Sequence, residues 1–282
     1  MTEPVGLADV IRRSTAYLER HGVESPAASV ETLLMHLLEI DRARLYARRE
    51  GLDTATARAF GRALCQRCTG VPLQHLTGEQ PFLGLRLAVL PGVFVPRPET
   101  EGLVLAALRA VDGVEGPLVV DVGTGTGAVG LAIASRRADA TVFATDTSDA
   151  AVALARSNAE RLGLGVSVER GDLLEPVPKE LRGRIDLIVS NPPYVRPEDY
   201  DALPVEVRGE PRDALVGGTE VHARLVEASA AWLRRGGWLV TEIGDDQGPQ
   251  VRSIFRLGGL GGVEVLPDLA GRDRVVRGQL PL

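Results

Sequence analysis

Two different periods divide the chain. Through about residue 75 the apolar positions recur at helical spacing, with Leu7, Val10, Ile11 and Leu18 near one face of "GLADVIRRSTAYLERHG". The next segment, "SPAASVETLLMHLLEI", repeats the pattern behind Ser25 as a candidate N-cap and Pro26 at the first helical position. "TATARAFGRALCQRCTG" predicts a further helix. From about residue 117 the pattern changes. Short apolar runs, "LVVDVG", "TVFATD", "VSVER", "IDLIVS" and "GWLVTEI", alternate with longer amphipathic stretches, "AVGLAIASRR", "DAAVALARSNAERLG" and "HARLVEASAAWLRR". Such alternation predicts an α/β fold, a mostly parallel sheet with helices on both faces. Between the two regions lies a Gly- and Pro-rich stretch in which "LGLRLAV" and "VFV" read as a hairpin. Pro98 then opens a helix with Glu99 and Glu101 in its first turn, where the helix dipole favours acids. The expected organisation is a helical unit over residues 1–75, a β-hairpin linker over 76–97 and an α/β domain over 98–282.

Ligands on such sheets bind beyond the carboxyl ends of the strands, and the residues there are informative. The first strand runs into "DVGTGTG", where Gly123, Gly125 and Gly127, with Thr124 and Thr126 between them, allow a tight turn whose backbone N–H groups approach a ligand at a helix start. The second strand ends in Asp146, 19 residues after Gly127, a distance that suits an acceptor for ribose hydroxyls. Helix capping by Asp146, Thr147 or Ser148 is the plain alternative. The third strand ends in "GDLL", where Asp172 is placed for an adenine amino group and Leu173 for the ring face, though turn chemistry accounts for Gly171-Asp172 equally well. The fourth delivers "NPPY", Asn191, Pro192, Pro193 and Tyr194. Glycine loop, acid, acid and a rigid polar elbow on four consecutive strands describe an adenosine cradle with a reactive group at its open end.

Composition narrows the class. The chain has 282 residues, 44% hydrophobic and 25% charged, with a net charge of -6 and Lys179 as its only lysine. Ten Arg balance ten Asp or Glu over residues 1–80, so the helical unit is neutral. Base flipping on DNA or RNA would call for a cationic channel, which argues against an adenine-N6 nucleic-acid methyltransferase and against direct nucleic-acid partners. A nicotinamide-dependent oxidoreductase would share the glycine loop and Asp146 but has no use for Asn-Pro-Pro-Tyr. A partner-binding module that kept the cradle without turnover would have no need of an intact Asn191. No apolar run reaches the length of a membrane span and the N-terminus carries no basic or apolar leader pattern, so a cytoplasmic protein without a membrane partner is expected. Cys65 and Cys68 form a C-x-x-C without a second ligand pair, so no metal is expected and the pair reads as two small apolar residues on one helical face. Nothing calls for an obligate multimer, and a monomer is expected.

"PLQHLTGEQPF", "VPRPETEGLV", "DVGTGTGAVGLAIA", "GDLLEP", "IVSNPPYV", "EPRDALVGG", "EIGDDQ" and "DLAGRDRVVRG" resemble, in that order, the segments of the HemK/PrmC family. The resemblance runs from about residue 70 to the C-terminus. It implies a Rossmann-like class I methyltransferase domain with a seven-stranded sheet and a helical domain that holds the protein substrate. It also implies S-adenosylmethionine as methyl donor, S-adenosylhomocysteine as product, and as substrate the glutamine N5 in the GGQ motif of class I peptide chain release factors. The family's stretch after "GG" usually carries Asp-Gly and an aromatic-Arg pair, whereas this chain has "GGTEVHARL" over Gly217–Leu225, a loop expected to lie away from the cofactor segments.

The chemistry fits the elbow. A carboxamide nitrogen is a poor nucleophile because its lone pair is delocalised into the carbonyl. Asn191 can accept one of its N–H groups through the side-chain oxygen while the Pro192 carbonyl accepts the other. The two prolines hold those acceptors in place before substrate arrives, and Tyr194 offers a flat face to the amide. Arg97, Glu99, Thr100 and Glu101 of "PRPETE" are expected to shape the wall near the cofactor's methionine end.

Overall fold

The structure is a computed structural model and describes residues 6–282. It divides into two compact units. The first comprises the described residues up to Glu79 together with Pro204–Gly209, and the second comprises Gln80–Leu203 and Glu210–Leu282.

The first unit is helical: α1 (Leu7–Arg20), α2 (Pro26–Leu38), α3 (Arg42–Ala47), α4 (Thr54–Cys68) and α5 (Leu73–Thr77). The predicted apolar face is its core, with Leu7 and Leu18 buried beside Val30, Leu33, Leu34 and Phe60, and Val10 and Ile11 packed at the margin. Capping differs from expectation at α2. Pro26 does occupy the first turn, but Ser25 has φ 50° and its side chain caps nothing. Asp41 and Asp53 are the working caps, accepting from the Arg44 N–H at 2.7 Å and from the Ala55 and Thr56 N–H groups at 2.9 Å. Of the cysteine pair only Cys68 reaches the core margin, while Cys65 is exposed, so the two do not share a buried face. Arg67, 6% exposed, forms an ion pair with Glu206 of a later short helix that belongs to this unit.

The second unit begins with a hairpin of β1 (Glu79–Phe82) and β2 (Leu85–Ala88), turned at Leu83 and Gly84, both at positive φ. The expected pairing of "LGLRLAV" with "VFV" is therefore corrected: the partner strand lies before the turn. Val93 and Val95 are buried but form no strand, because hydrophobic burial does not require a ladder. After α6 (Thr100–Ala110) come β3 (Leu118–Val122), α7 (Ala128–Arg136), β4 (Thr141–Asp146), α8 (Asp149–Leu162), β5 (Val166–Arg170), β6 (Ile185–Ser190), then the small helix α9 (Val205–Arg208), which belongs to the first unit, and α10 (Glu220–Ser229), β7 (Leu233–Glu242), α11 (Gly248–Leu257), β8 (Gly261–Pro267) and β9 (Asp273–Gln279). One sheet runs β5-β4-β3-β6-β7-β9-β8, parallel except where β9 pairs with β7 and β8. The helix predicted through "AAWLRR" stops at Ser229, since Leu233 pairs with Ile185 and Trp232 packs into the core. The closing strands β8 and β9 form an antiparallel hairpin that the strand-helix alternation did not predict.

Successive strand residues face opposite layers, as a sheet covered on both sides requires. Val119, Leu187 and Val189 join Leu103, Val104 and Leu131 of α6 and α7. Val120 and Ile188 join Leu225, Val251 and Phe255 of α10 and α11. Burying each such side chain contributes roughly 1.5–3 kcal/mol, and together they lock the register on which the site depends. The strand order reverses between β3 and β6, which is where an open α/β sheet leaves its crevice.

Candidate active site

Register places the predicted residues in one row. Val122 pairs with Thr145 and with Ser190, Asp146 pairs with Arg170, and Ser190 pairs with Thr241. One residue further along each strand, the row reads Arg170, Asp146, Gly123, Asn191, Glu242, with Asp146 and Arg170 the last pair of β4 and β5. Adjacent strands lie about 4.8 Å apart, so Arg170 and Asn191 stand roughly 14 Å apart along the sheet edge. Ser190 Oγ donates to the Val122 carbonyl at 2.8 Å and ties the root of the elbow to the root of the glycine loop.

Gly123, Gly125 and Gly127 have φ of 71°, 57° and 87°, backbone that favours glycine. At Gly127 space matters as well, since a Cβ there would lie 2.8 Å from Leu131 Cδ1. The donors are arranged differently from expectation. The Gly123 and Thr124 N–H groups both donate to the Thr145 carbonyl, Gly127 N–H donates to Thr124, and Gly125 N–H donates to Asp146 at 2.9 Å. What this loop presents is a surface without side chains at its glycines.

Asp146 accepts from Gly125 N–H through Oδ2 and from Ser148 N–H through Oδ1, each at 2.9 Å. A carboxylate has about four acceptor positions, so these bonds orient Asp146 and leave capacity for a diol. Helix capping itself falls to Ser148, whose hydroxyl accepts from Ala151 N–H. Leu173 is held at φ 47°, a strained conformation for a branched side chain, and its carbonyl accepts from the Thr145 hydroxyl at 2.7 Å. Asp172 and Leu173 line a cleft of ≈ 600 Å³ with Arg182, Arg224 and Trp232. Arg224 forms an ion pair with Asp172. The Gly217–Leu225 stretch thus reaches Asp172, one of the residues expected at the cofactor, and does not lie away from that segment as expected.

That stretch also braces the elbow. Val195 N–H donates to the Leu215 carbonyl at 2.9 Å, and the Gly217 and Gly218 N–H groups return to the Val195 carbonyl at 3.1 and 3.2 Å. The Tyr194 carbonyl accepts from Gln247 Nε2 at 2.8 Å. At Asn191 the side-chain Nδ2 donates to Thr100 Oγ1 at 3.2 Å, which leaves Oδ1 as the group to be offered. The Tyr194 hydroxyl donates inward to Glu242 Oε1 at 3.2 Å, and burial pushes its pKa up.

Several buried polar residues behind the site escaped the sequence reading. Asp121 accepts from Thr124 Oγ1 at 2.6 Å and Gly130 N–H at 2.8 Å, and burial pushes its pKa up to about 6. Asn158 ties the Thr126 carbonyl at 2.9 Å to the Ala88 backbone. Glu242, at the end of β7, has its pKa pushed up to about 7 by burial, against the pull of the Thr100 hydroxyl and Arg274. The one visible signal was an acid inside an otherwise apolar run, at Asp121 and at Glu242. Of "PRPETE", Thr100 reaches the elbow, Arg97 pairs with the buried Glu210, and Glu101 accepts from Leu83 N–H at 2.9 Å in the hairpin turn. Glu99 sits at the cap position of α6 with no side-chain capping bond. Among the described residues no helix is long and apolar enough to cross a membrane.

Comparison with known proteins finds relatives along the whole chain. Residues 9–78 match the PrmC N-terminal domain family and residues 85–206 the methyltransferase small domain family. A release factor glutamine methyltransferase of Moorella thermoacetica is 42% identical, with 97% of each chain covered. One of Deinococcus radiodurans is also 42% identical, over 96% of this chain and 97% of its own. In fold, a methyltransferase from Pyrococcus furiosus superposes with a TM-score of 0.51 at 19% identity, covering 71% of this chain and 90% of that one.

Proposed function

The chain belongs to the release factor glutamine methyltransferase family, and on that footing we propose that it methylates the side-chain N5 of the glutamine in the GGQ motif of class I peptide chain release factors, in the cytoplasm. The observation that carries the reading is the Asn191 amide. Its nitrogen is engaged by Thr100, so its oxygen faces a substrate, one residue beyond the strand pair that joins β6 to the glycine-loop strand.

The residues present fit S-adenosylmethionine. The glycine loop leaves a space that side chains would fill, Asp146 is an oriented acceptor for ribose hydroxyls, and Asp172 and Leu173 follow β5 on the same sheet edge. When bound, the cofactor supplies an electrophilic sulfonium methyl. Asn191 Oδ1 accepts one N–H of the glutamine and the Pro192 carbonyl accepts the other, which favours the more negative, pyramidal nitrogen of the transition state. Pro192 and Pro193 stiffen the backbone that carries those acceptors, and Tyr194, anchored through its hydroxyl, lies against the amide. The methylated nitrogen is acidic and releases its proton to water.

Labelled S-adenosylmethionine, incubated in parallel with a class I release factor, its GGQ Gln→Ala variant, duplex DNA and rRNA fragments, is expected to mark the intact factor alone. Label in nucleic acid or in the variant factor overturns the assignment. Asp146→Ala is expected to weaken cofactor binding about 10- to 150-fold, the loss of a hydrogen bond to a charged group worth roughly 1.5–3 kcal/mol. Titration calorimetry measures this directly, and an unchanged Kd would move the ribose contact elsewhere.

A further inference from the structure

We propose that Glu242 is a positioning residue for the transfer: its carboxylate accepts a hydrogen bond from the Thr100 hydroxyl, which leaves the Thr100 oxygen to accept from Asn191 Nδ2 and turns the Asn191 oxygen toward the substrate amide. The proposal deepens the reading of Asn191 above and rests on it.

Glu242 is 1% exposed and ends β7, one strand over from the root of the elbow. Its Oε1 accepts from the Tyr194 hydroxyl, while its Oε2 is buried with no hydrogen-bond partner among the described residues. A buried carboxylate oxygen without a donor is costly, so this one is poised for a nearby proton. Thr100 is the source. It is 2% exposed, its hydroxyl favours the ionised Glu242 carboxyl, and its oxygen already accepts from Asn191. A hydroxyl has one proton and two lone pairs. With an amide N–H on the oxygen, the proton is free to be given away, and donation then runs one way: Asn191 to Thr100 to Glu242.

Direction matters because an amide presents either an acceptor or a donor. An ionised Glu242 only accepts, so the chain keeps the sense seen here and Asn191 Oδ1 faces the glutamine. A protonated Glu242 offers its own hydrogen to Thr100, whose hydroxyl then donates to the Asn191 oxygen. The amide turns, and an NH2 group meets a substrate nitrogen that needs an acceptor. Several groups bear on this switch. Arg274 of β9 favours the ionised form, Glu99 at the start of α6 disfavours it, and Tyr194 donates to it. His222 of α10 faces the same residue through its backbone, with Nε2 2.9 Å from the Glu242 carbonyl oxygen, and burial lowers the His222 pKa. Since burial raises Glu242 to about 7, the competent form accumulates as pH rises through neutrality, and kcat should climb there.

The test is steady-state kinetics on a release factor across the neutral pH range, with cofactor Kd and thermal melting measured on the same samples. Glu242→Gln keeps the shape but always carries donors. It should lower kcat about 10- to 100-fold, leave KM and cofactor Kd within a few-fold, and lose the rise of kcat through neutral pH. Thr100→Val, nearly isosteric, should lower kcat similarly, and Thr100→Ser, which keeps the hydroxyl, should recover most of the rate. Wild-type kcat with an unchanged pH profile in Glu242→Gln overturns the proposal, as does loss of melting temperature alone in both Glu242→Gln and Thr100→Val. Asn191→Ala separates the two levels. If it stays active, the reading of Asn191 itself falls; if it is inactive while Glu242→Gln and Thr100→Val are normal, only the positioning role falls.

Discussion

Replacing Asn191 by Ala is expected to lower kcat for release-factor methylation by about 100- to 1,000-fold while cofactor affinity stays within a few-fold. Removing a single preorganised polar group aimed at the reacting atoms typically has an effect of this size, about 2.7–4 kcal/mol. Here the group is an acceptor, and its loss leaves the glutamine nitrogen with one partner, the Pro192 carbonyl, so the lone pair is no longer directed. The loss should fall on kcat, because the interaction strengthens as the nitrogen becomes pyramidal. The residues proposed to hold the cofactor lie on other strands: Asp146 on β4 and Asp172 beyond β5 are untouched. Single-turnover transfer from labelled cofactor at saturating release factor reads the chemical step, and equilibrium dialysis reads the affinity. A variant that transfers at near the native rate would mean that the amide is oriented by some other group. Asn191→Asp offers an acceptor but cannot donate to Thr100, and it places a second acid one strand from the buried Glu242. It is expected to fall between the alanine variant and the native protein.

Gly217→Ala should lower both turnover and stability, although residue 217 lies outside the motif. An added Cβ would sit 2.3 Å from the Pro193 carbonyl oxygen, 2.8 Å from Val221 Cγ2 and 3.1 Å from Pro193 Cγ. The carbonyl belongs to the rigid elbow and cannot rotate aside, so backbone must move. The bonds that pass from Gly217 and Gly218 to Val195 hold the two segments together and carry the displacement into Asn-Pro-Pro-Tyr. A shift of about 1 Å in a positioned group can reduce turnover 100-fold, and overpacking of this kind lowers stability by about 1–3 kcal/mol. The expected result is a kcat reduced 10- to 100-fold with cofactor Kd nearly unchanged, and a lower melting temperature. Native kcat in this variant would show that the loop yields without disturbing the elbow. Gly217→Ser should behave alike, since its Cβ meets the same atoms.

The period of the apolar residues was enough to separate a helical region from an alternating one and to find the five parallel strands, because burial on one face or two is written locally, at i, i+2 or i+3 spacing. The glycine loop, Asp146, Asp172 and the elbow were legible for a related reason: each sits within a few residues of a strand end, and strand ends on one sheet edge form a row. The β1–β2 hairpin was misplaced and the helix before β7 ran too long because both boundaries depend on partners elsewhere. Leu233 leaves the helical pattern to pair with Ile185, far back in the chain.

The same distinction governs the chemistry. Residue types and their order along the chain pointed to the class of reaction, to the row of strand ends proposed for the cofactor and to Asn191 as the polar group proposed to meet the substrate. Only the folded chain decided which way that group points: Asn191 meets Thr100 across 91 residues and Tyr194 meets Glu242 across 48. It likewise decided that Arg224 neutralises Asp172 across 52 residues and that Gly217 lies against Pro193. Hydrogen bonds are short and directional, so their partners follow from strand register and helix packing settled by the whole core, and no local pattern records them.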